Sequence, residues 1–223
     1  IIVVTEMKHV CNIFVAFFAC LVAIDAAAAG KDVLLPYGDM NRWTIRKIKE
    51  SGVIGGATKT LYEVGPNTTL TGNKPYTNGG GSPWGTSNVM AKVMGVVKTN
   101  NSVYRDKHGS GYCAKLVTHI EKVKVLGLMN MKVLAAGSLF LGDMKEPITG
   151  TKDGPKAMNN GIRFNQRPKA LKYDYMFKAA GTANRVRQNG FSGAKTIAGK
   201  DYGITVLYLQ KRTEDSKGNI TAK

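Results

Sequence analysis

The sequence predicts an all-β domain, and three observations carry that expectation. Along Gly161–Lys178, Leu171, Tyr173, Tyr175 and Phe177 alternate with Lys172, Asp174, Met176 and Lys178. That period of two marks a strand with one apolar and one wetter face. Glycine is abundant, at 26 of 223 residues, and it separates short runs rich in β-branched side chains, the composition of many short strands joined by turns. Finally, Tyr112–Leu126 alternates Leu116, Thr118 and Ile120 with Val117, His119 and Glu121, where a helix would space its apolar residues three and four apart.

Helix is expected only in an apolar leader. Met7–Ala29 reads as a secretory signal peptide: Lys8 and His9 form the basic start, Val10–Ile24 the apolar run, and Ala26–Ala29 the small residues a signal peptidase needs. Ile1–Glu6 then reads as upstream translation, and the mature domain as Gly30–Lys223. A membrane anchor is the rival, but an apolar run of about 15 residues falls short of the roughly 20 needed to span. Lipidation at Cys20 is a second rival, weakened by the missing aliphatic residue three positions earlier. Cleavage leaves Cys113 as the only thiol, expected as a small buried hydrophobe.

In chain order, Asp32–Pro36 is a short strand. Trp43–Glu50 is a strand whose faces are Trp43, Ile45, Lys47, Lys49 and Thr44, Arg46, Ile48, Glu50. Gly52–Gly56 breaks it, and Lys59–Val64 resumes. Asn67–Asn88 is a long irregular region, a feature often tied to function. Val89–Thr99 returns to strand, Asn100–Gly111 is a polar turn, and Tyr112–Leu126 is one long strand bent near Glu121–Val123. Gly127–Lys132 is a break or short strand and Val133–Leu141 a central strand. Gly142–Gly161 is a polar connection, and Leu171–Phe177 packs on a facing sheet. Gly181–Lys200 is a basic loop anchored by Phe191, and Gly203–Arg212 is another core strand. Lys217–Asn219 is a hairpin turn, with Ile220–Lys223 starting a return strand. An edge left open there leads to the expectation of a C-terminal truncation.

Thirty-two Lys and Arg against fifteen Asp and Glu give a formal charge of +17, which suits nucleic acid, an anionic membrane or an acidic polysaccharide. The basic residues are dispersed and no aromatic RNA-binding motif occurs, so nucleic acid is not the expected partner. No membrane span is expected. His108 and His119 lack zinc spacing, and no phosphate loop, dinucleotide fingerprint, nucleophile elbow or calcium loop occurs. Neither metal nor cofactor is expected.

Sugar sites combine an aromatic ring, for the apolar face of a pyranose, with dipoles for its hydroxyls. Tyr76 and Trp84, set among Gly, Ser, Thr and Asn, and Trp43 with Arg46 are the candidate ligand-binding residues. The competing role for Trp84 is to anchor the long loop on the core. Hydrolysis would need two carboxylates flanking the bond. Asp39, Glu50, Glu63, Glu121 and Asp174 lie on or next to strands, but no linear cluster pairs them, and no catalytic residue is assigned.

Taken together, YGDMNRWTIRKIKESGVIGG, PYTNGGGSPWGTSNVMAKV, GYCAKLVTHIEKVKVLGL, VLAAGSLFLG and IRFNQRPKALKYDY resemble the putative carbohydrate metabolism domain family, from about Tyr37 onward. The resemblance implies a jelly-roll-like β-sandwich that is exported and acts in polysaccharide capture or breakdown. It supplies no catalytic motif. Members continue with further strands past the position of Lys223, which adds to the expected truncation. The function expected is carbohydrate binding or processing outside the cytoplasm, on a glycan that the charge makes acidic. A glycoside hydrolase with a spatially assembled carboxylate pair is the alternative.

Overall fold

The computed structural model describes residues 2–4, 31–78, 81–125, 129–150, 153, 157–178, 185–187, 195–216 and 220–222. The expected signal peptide at 7–29, Phe191 and the Lys217–Asn219 turn lie outside these residues. The described secondary structure is almost wholly β, divided among small and mainly antiparallel sheets, as the sequence predicts. Among the described residues no helix is long and apolar enough to cross a membrane.

The centre is the pair Trp43–Lys49 and Thr58–Val64, in register from Trp43 opposite Val64 to Lys49 opposite Thr58. A 3-10 turn at Gly52–Ile54 lies between them, closed by Gly55 at φ 105°, a conformation that glycine adopts without a Cβ clash. Thr69–Thr71 adds to Trp43–Lys49 in parallel. Alternation decides what is buried: Thr44, Arg46 and Ile48 point inward, while Lys47 and Lys49 stay in water. Trp43, Val64, Trp84, Val103, Leu35 and Met40 form the main apolar cluster. Ile48, Leu61 and Met90 form a second.

Trp84–Thr86 pairs with Leu139–Met144, placing Gly85 opposite Phe140. A Cβ on Gly85 would stand 2.7 Å from the Phe140 ring, so a side chain here would force that ring to move. Met158–Asn160 extends the same sheet on the other side of Leu139–Met144.

Several predicted elements divide. Val89–Thr99 is a hairpin, Val89–Val93 with Val96–Asn100, turned at Met94 and Gly95, both with positive φ. The supposed turn Asn100–Gly111 contains the strand Val103–His108, paired with Gly111–Leu116. The long run Tyr112–Leu126 breaks after Val117, whose N–H makes the last bond of this ladder, donating to Ser102 O at 2.8 Å. His119–Val125 then pairs with Met129–Ala135. Val133–Leu141 is likewise split, and the second half runs on to Met144. Cys113 is a half-buried free thiol.

Two expected core strands are not core. Of Leu171–Phe177, only Lys172–Tyr173 is strand, paired with Ile2–Val4; Tyr175 and Met176 are 79% and 92% exposed. Gly203–Arg212 is exposed and outside any strand up to residue 211, and strand begins only at Arg212–Glu214, which pairs with Ile220–Ala222. Tyr173 Oη and Thr205 Oγ1, 2.8 Å apart, link the two segments. Period two specifies which side chains share a face; it does not supply the layer that would cover that face.

Candidate functional site

The four residues expected to bind sugar lie in or against the core. Trp43 and Trp84 are 1% and 3% exposed. Their indole N–H groups donate to Met40 O at 2.7 Å and Pro36 O at 2.8 Å. Each clamps the 35–40 turn onto the sheet, and neither ring has a face open to a pyranose. Trp84 is therefore the anchor of the long loop. That loop is tied down elsewhere by Asn67 to the Trp43 N–H, by Asn73 to both backbone groups of Lys49, and by Asn78 to Gly142 O.

Arg46 is buried on the inward face of its strand, opposite Leu61 and diagonal to Glu63. Its Nη1 donates to Glu63 Oε1 at 2.9 Å, and its two Nη groups grip Glu146 at 3.0 and 2.6 Å. The Glu146 carboxylate also accepts the N–H groups of Tyr76 and Met90, and Thr86 Oγ1 donates to Glu63 Oε2 at 2.6 Å. The buried Tyr76 ring stacks on the guanidinium, 4.8 Å from ring centroid to Arg46 Cζ. Burial opposes the charge of Arg46, but Glu146 and Glu63 outweigh it and raise its pKa further. Burial pushes Glu63 up as well, to about 7, which favours its neutral form against the pull of Arg46. With burial, the Glu63 charge also raises the Tyr76 hydroxyl to about 12. The network is a sealed brace between strands, with every charged oxygen committed.

Of the acids considered for catalysis, Glu63 belongs to that brace. Glu50 and Glu121 are brought together by Lys98, whose Nζ lies 3.1 Å from Glu50 and 3.7 Å from Glu121. His119 Nε2 is 2.9 Å from the other oxygen of Glu121. Burial alone would raise the Glu50 pKa, but the N–H and hydroxyl of Thr99, together with Lys98, leave it below the ordinary value. Asp39 bonds locally to Asn41, and Asp174 is exposed on the Lys172–Phe177 segment. The fold thus assembles two carboxylate pairs, and in both a cation occupies the space between the acids, where a scissile bond would sit.

A cleft of about 350 Å³ opens elsewhere, between the strand Met129–Ala135, the hairpin Arg185–Arg187 with Lys195–Ile197, and the segment Asp201–Ile204. Leu134, Ile197 and Ile204 supply its apolar wall. Arg185, Arg187, Asp201 and Tyr202 supply the polar one. Arg185 Cζ lies 5.6 Å from the Tyr202 ring centroid, and Tyr202 remains 59% exposed. Here an aromatic face, hydrogen-bond donors and open space coincide. The sequence did signal this hairpin, through the alternating Arg185-Val186-Arg187 and Lys195-Thr196-Ile197, but glycine and charge on all sides gave it the look of a loop. Glu146 was hidden for another reason: it lies in an irregular Lys145-Glu146-Pro147 stretch with no periodicity.

Among the described residues no group of three or more His, Cys, Asp or Glu side chains could hold a metal. Neither the curated proteins nor the solved structures contain a significant match to the chain. The profile of one family matches residues 59–220, which include Glu63, Glu146, Glu121, Lys98 and the open cleft. This chain belongs to the putative carbohydrate metabolism domain family.

Proposed function

We propose that this domain binds glycan without cleaving it, and that the contact surface is the cleft beside Tyr202. One contrast carries the reading. The cleft offers an exposed tyrosine ring with guanidinium groups beside it, the combination that stacks on a pyranose and bonds its hydroxyls. Both assembled carboxylate pairs instead hold a cation between them. The leader at Met7–Ala29 supports action outside the cytoplasm, and N-terminal sequencing of exported material would find the mature start between Ala27 and Lys31.

A glycan array followed by a reducing-sugar assay on each bound polymer tests the reading. Saturable binding that is lost in Tyr202→Ala, with no new reducing ends, is the expected result. The hydrolase alternative draws on one observation, the meeting of Glu50 and Glu121 at Lys98. Release of reducing ends by the wild type that disappears in Glu121→Gln would establish that alternative and overturn the non-catalytic reading.

A further inference from the structure

The hairpin that walls the cleft carries its cations on one side. In an antiparallel pair, residues in register share a face. Arg187 stands opposite Lys195 and Arg185 opposite Ile197, so Arg185, Arg187 and Lys195 all project on one face of this two-stranded unit. No ion pair to any of the three occurs among the described residues. Like charges placed directly opposite destabilise a pair of strands, and an anion held between them would reverse the sign of that interaction. Arg185 is also set in place. Gly199, at φ 103°, brings its backbone to where a Cβ would lie 3.1 Å from Arg185 Cδ, and the Tyr202 ring lies against the guanidinium. The remainder of that ring is open to solvent.

From this arrangement we infer that the cleft recognises an acidic sugar, with Arg185 and Arg187 gripping its anionic group and Tyr202 stacking on its ring. The inference rests on the glycan-binding reading above and narrows it to polymers bearing a carboxylate or a sulfate. Guanidinium is suited to both, since its planar donors meet two oxygens of either group at once. Overall charge does not explain such a site by itself, because dispersed surface cations accelerate encounter more than they select a partner.

The test uses the full chain and matched polymers: polygalacturonate against its methyl ester, and chondroitin sulfate against its desulfated form. The paired variant Arg185→Gln/Arg187→Gln is compared with Lys47→Gln/Lys49→Gln, which removes equal charge from an exposed strand face that does not line the cleft. Loss of at least about tenfold in affinity for an acidic polymer is expected from the arginine variant, given the worth of charge-assisted hydrogen bonds, with little change from the lysine variant. Loss of binding on methyl esterification marks a carboxylate contact, and loss on desulfation, which leaves the uronate carboxylates in place, marks a sulfate contact. An equal loss in both variants would reduce the effect to bulk charge and overturn the inference, as would equal retention of single-stranded DNA. Binding of a neutral polymer that needs Tyr202 but not the arginines would overturn the acidic preference while sustaining glycan binding. Failure of every polymer to bind would overturn both.

Discussion

At the scale of single residues, the balance of charge around Arg46 governs much of this protein's behaviour. One guanidinium faces two carboxylates, Glu63 and Glu146, all three nearly without solvent. Arg46→Leu would leave two buried acids without a counter-charge and should cost about 3–5 kcal/mol in chemical denaturation. Glu63→Gln has a different outcome, because a neutral amide can still accept from Arg46 and donate to Thr86. The folded chain holds the Glu63 proton more tightly than the ordinary carboxyl, whose pKa is 4.5. The Glu63 contribution to stability is therefore fully present below that value and is lost as pH rises through about 7. Wild-type melting temperature should fall from about pH 5 to about pH 8 relative to Glu63→Gln; parallel curves would contradict the assignment. Glu50, held below its ordinary pKa by Thr99 and Lys98 despite its burial, acts in the opposite sense. Its contribution is present above the ordinary carboxylate range and is lost as pH falls through its lowered pKa.

At the scale of elements, side-chain amides join strands that backbone ladders leave separate. Asn88 Nδ2 donates to Tyr62 O and Val103 O, and its Oδ1 accepts from the N–H groups of Ser102 and Val103. One bond to Thr58–Val64 and three to Ser102 and Val103 join the two strands through one buried side chain. Asn88→Ala would leave those backbone groups unpaired at a cost of about 3 kcal/mol or more, read as a lowered midpoint of urea unfolding. A wild-type midpoint would show that other groups take over the bonds. The same elements show what was legible in the sequence. Trp43–Lys49 and Thr58–Val64 were readable because alternation and burial agree in them. The Val89–Asn100 hairpin was not, because its turn uses Met94-Gly95 with two positive φ values in place of the Asn-Gly pair that usually marks such a reversal. Val103–His108 was obscured by the run Arg105, Asp106, Lys107 and His108, the last three of which lie in water. The candidate site was illegible for a related reason: aromatic rings flagged for sugar proved to be core, and only packing distinguishes the buried Trp84 from the open Tyr202.

At the scale of the whole molecule, the formal charge of +17 is dispersed over an all-β frame, and one hairpin beside an open cleft gathers cations on a single face. The central claim is that glycan is bound at this cleft, without the buried brace or the Lys98 acids taking part. Amide hydrogen exchange of the full chain, with and without a bound polymer from the array, tests it most directly. The account predicts slowed exchange along Arg185–Arg187, Lys195–Ile197 and the residues 201–204, with no polymer cleaved during the experiment. Slowing confined to Glu50, Lys98 and the His119–Val125 strand, accompanied by new reducing ends, would contradict it.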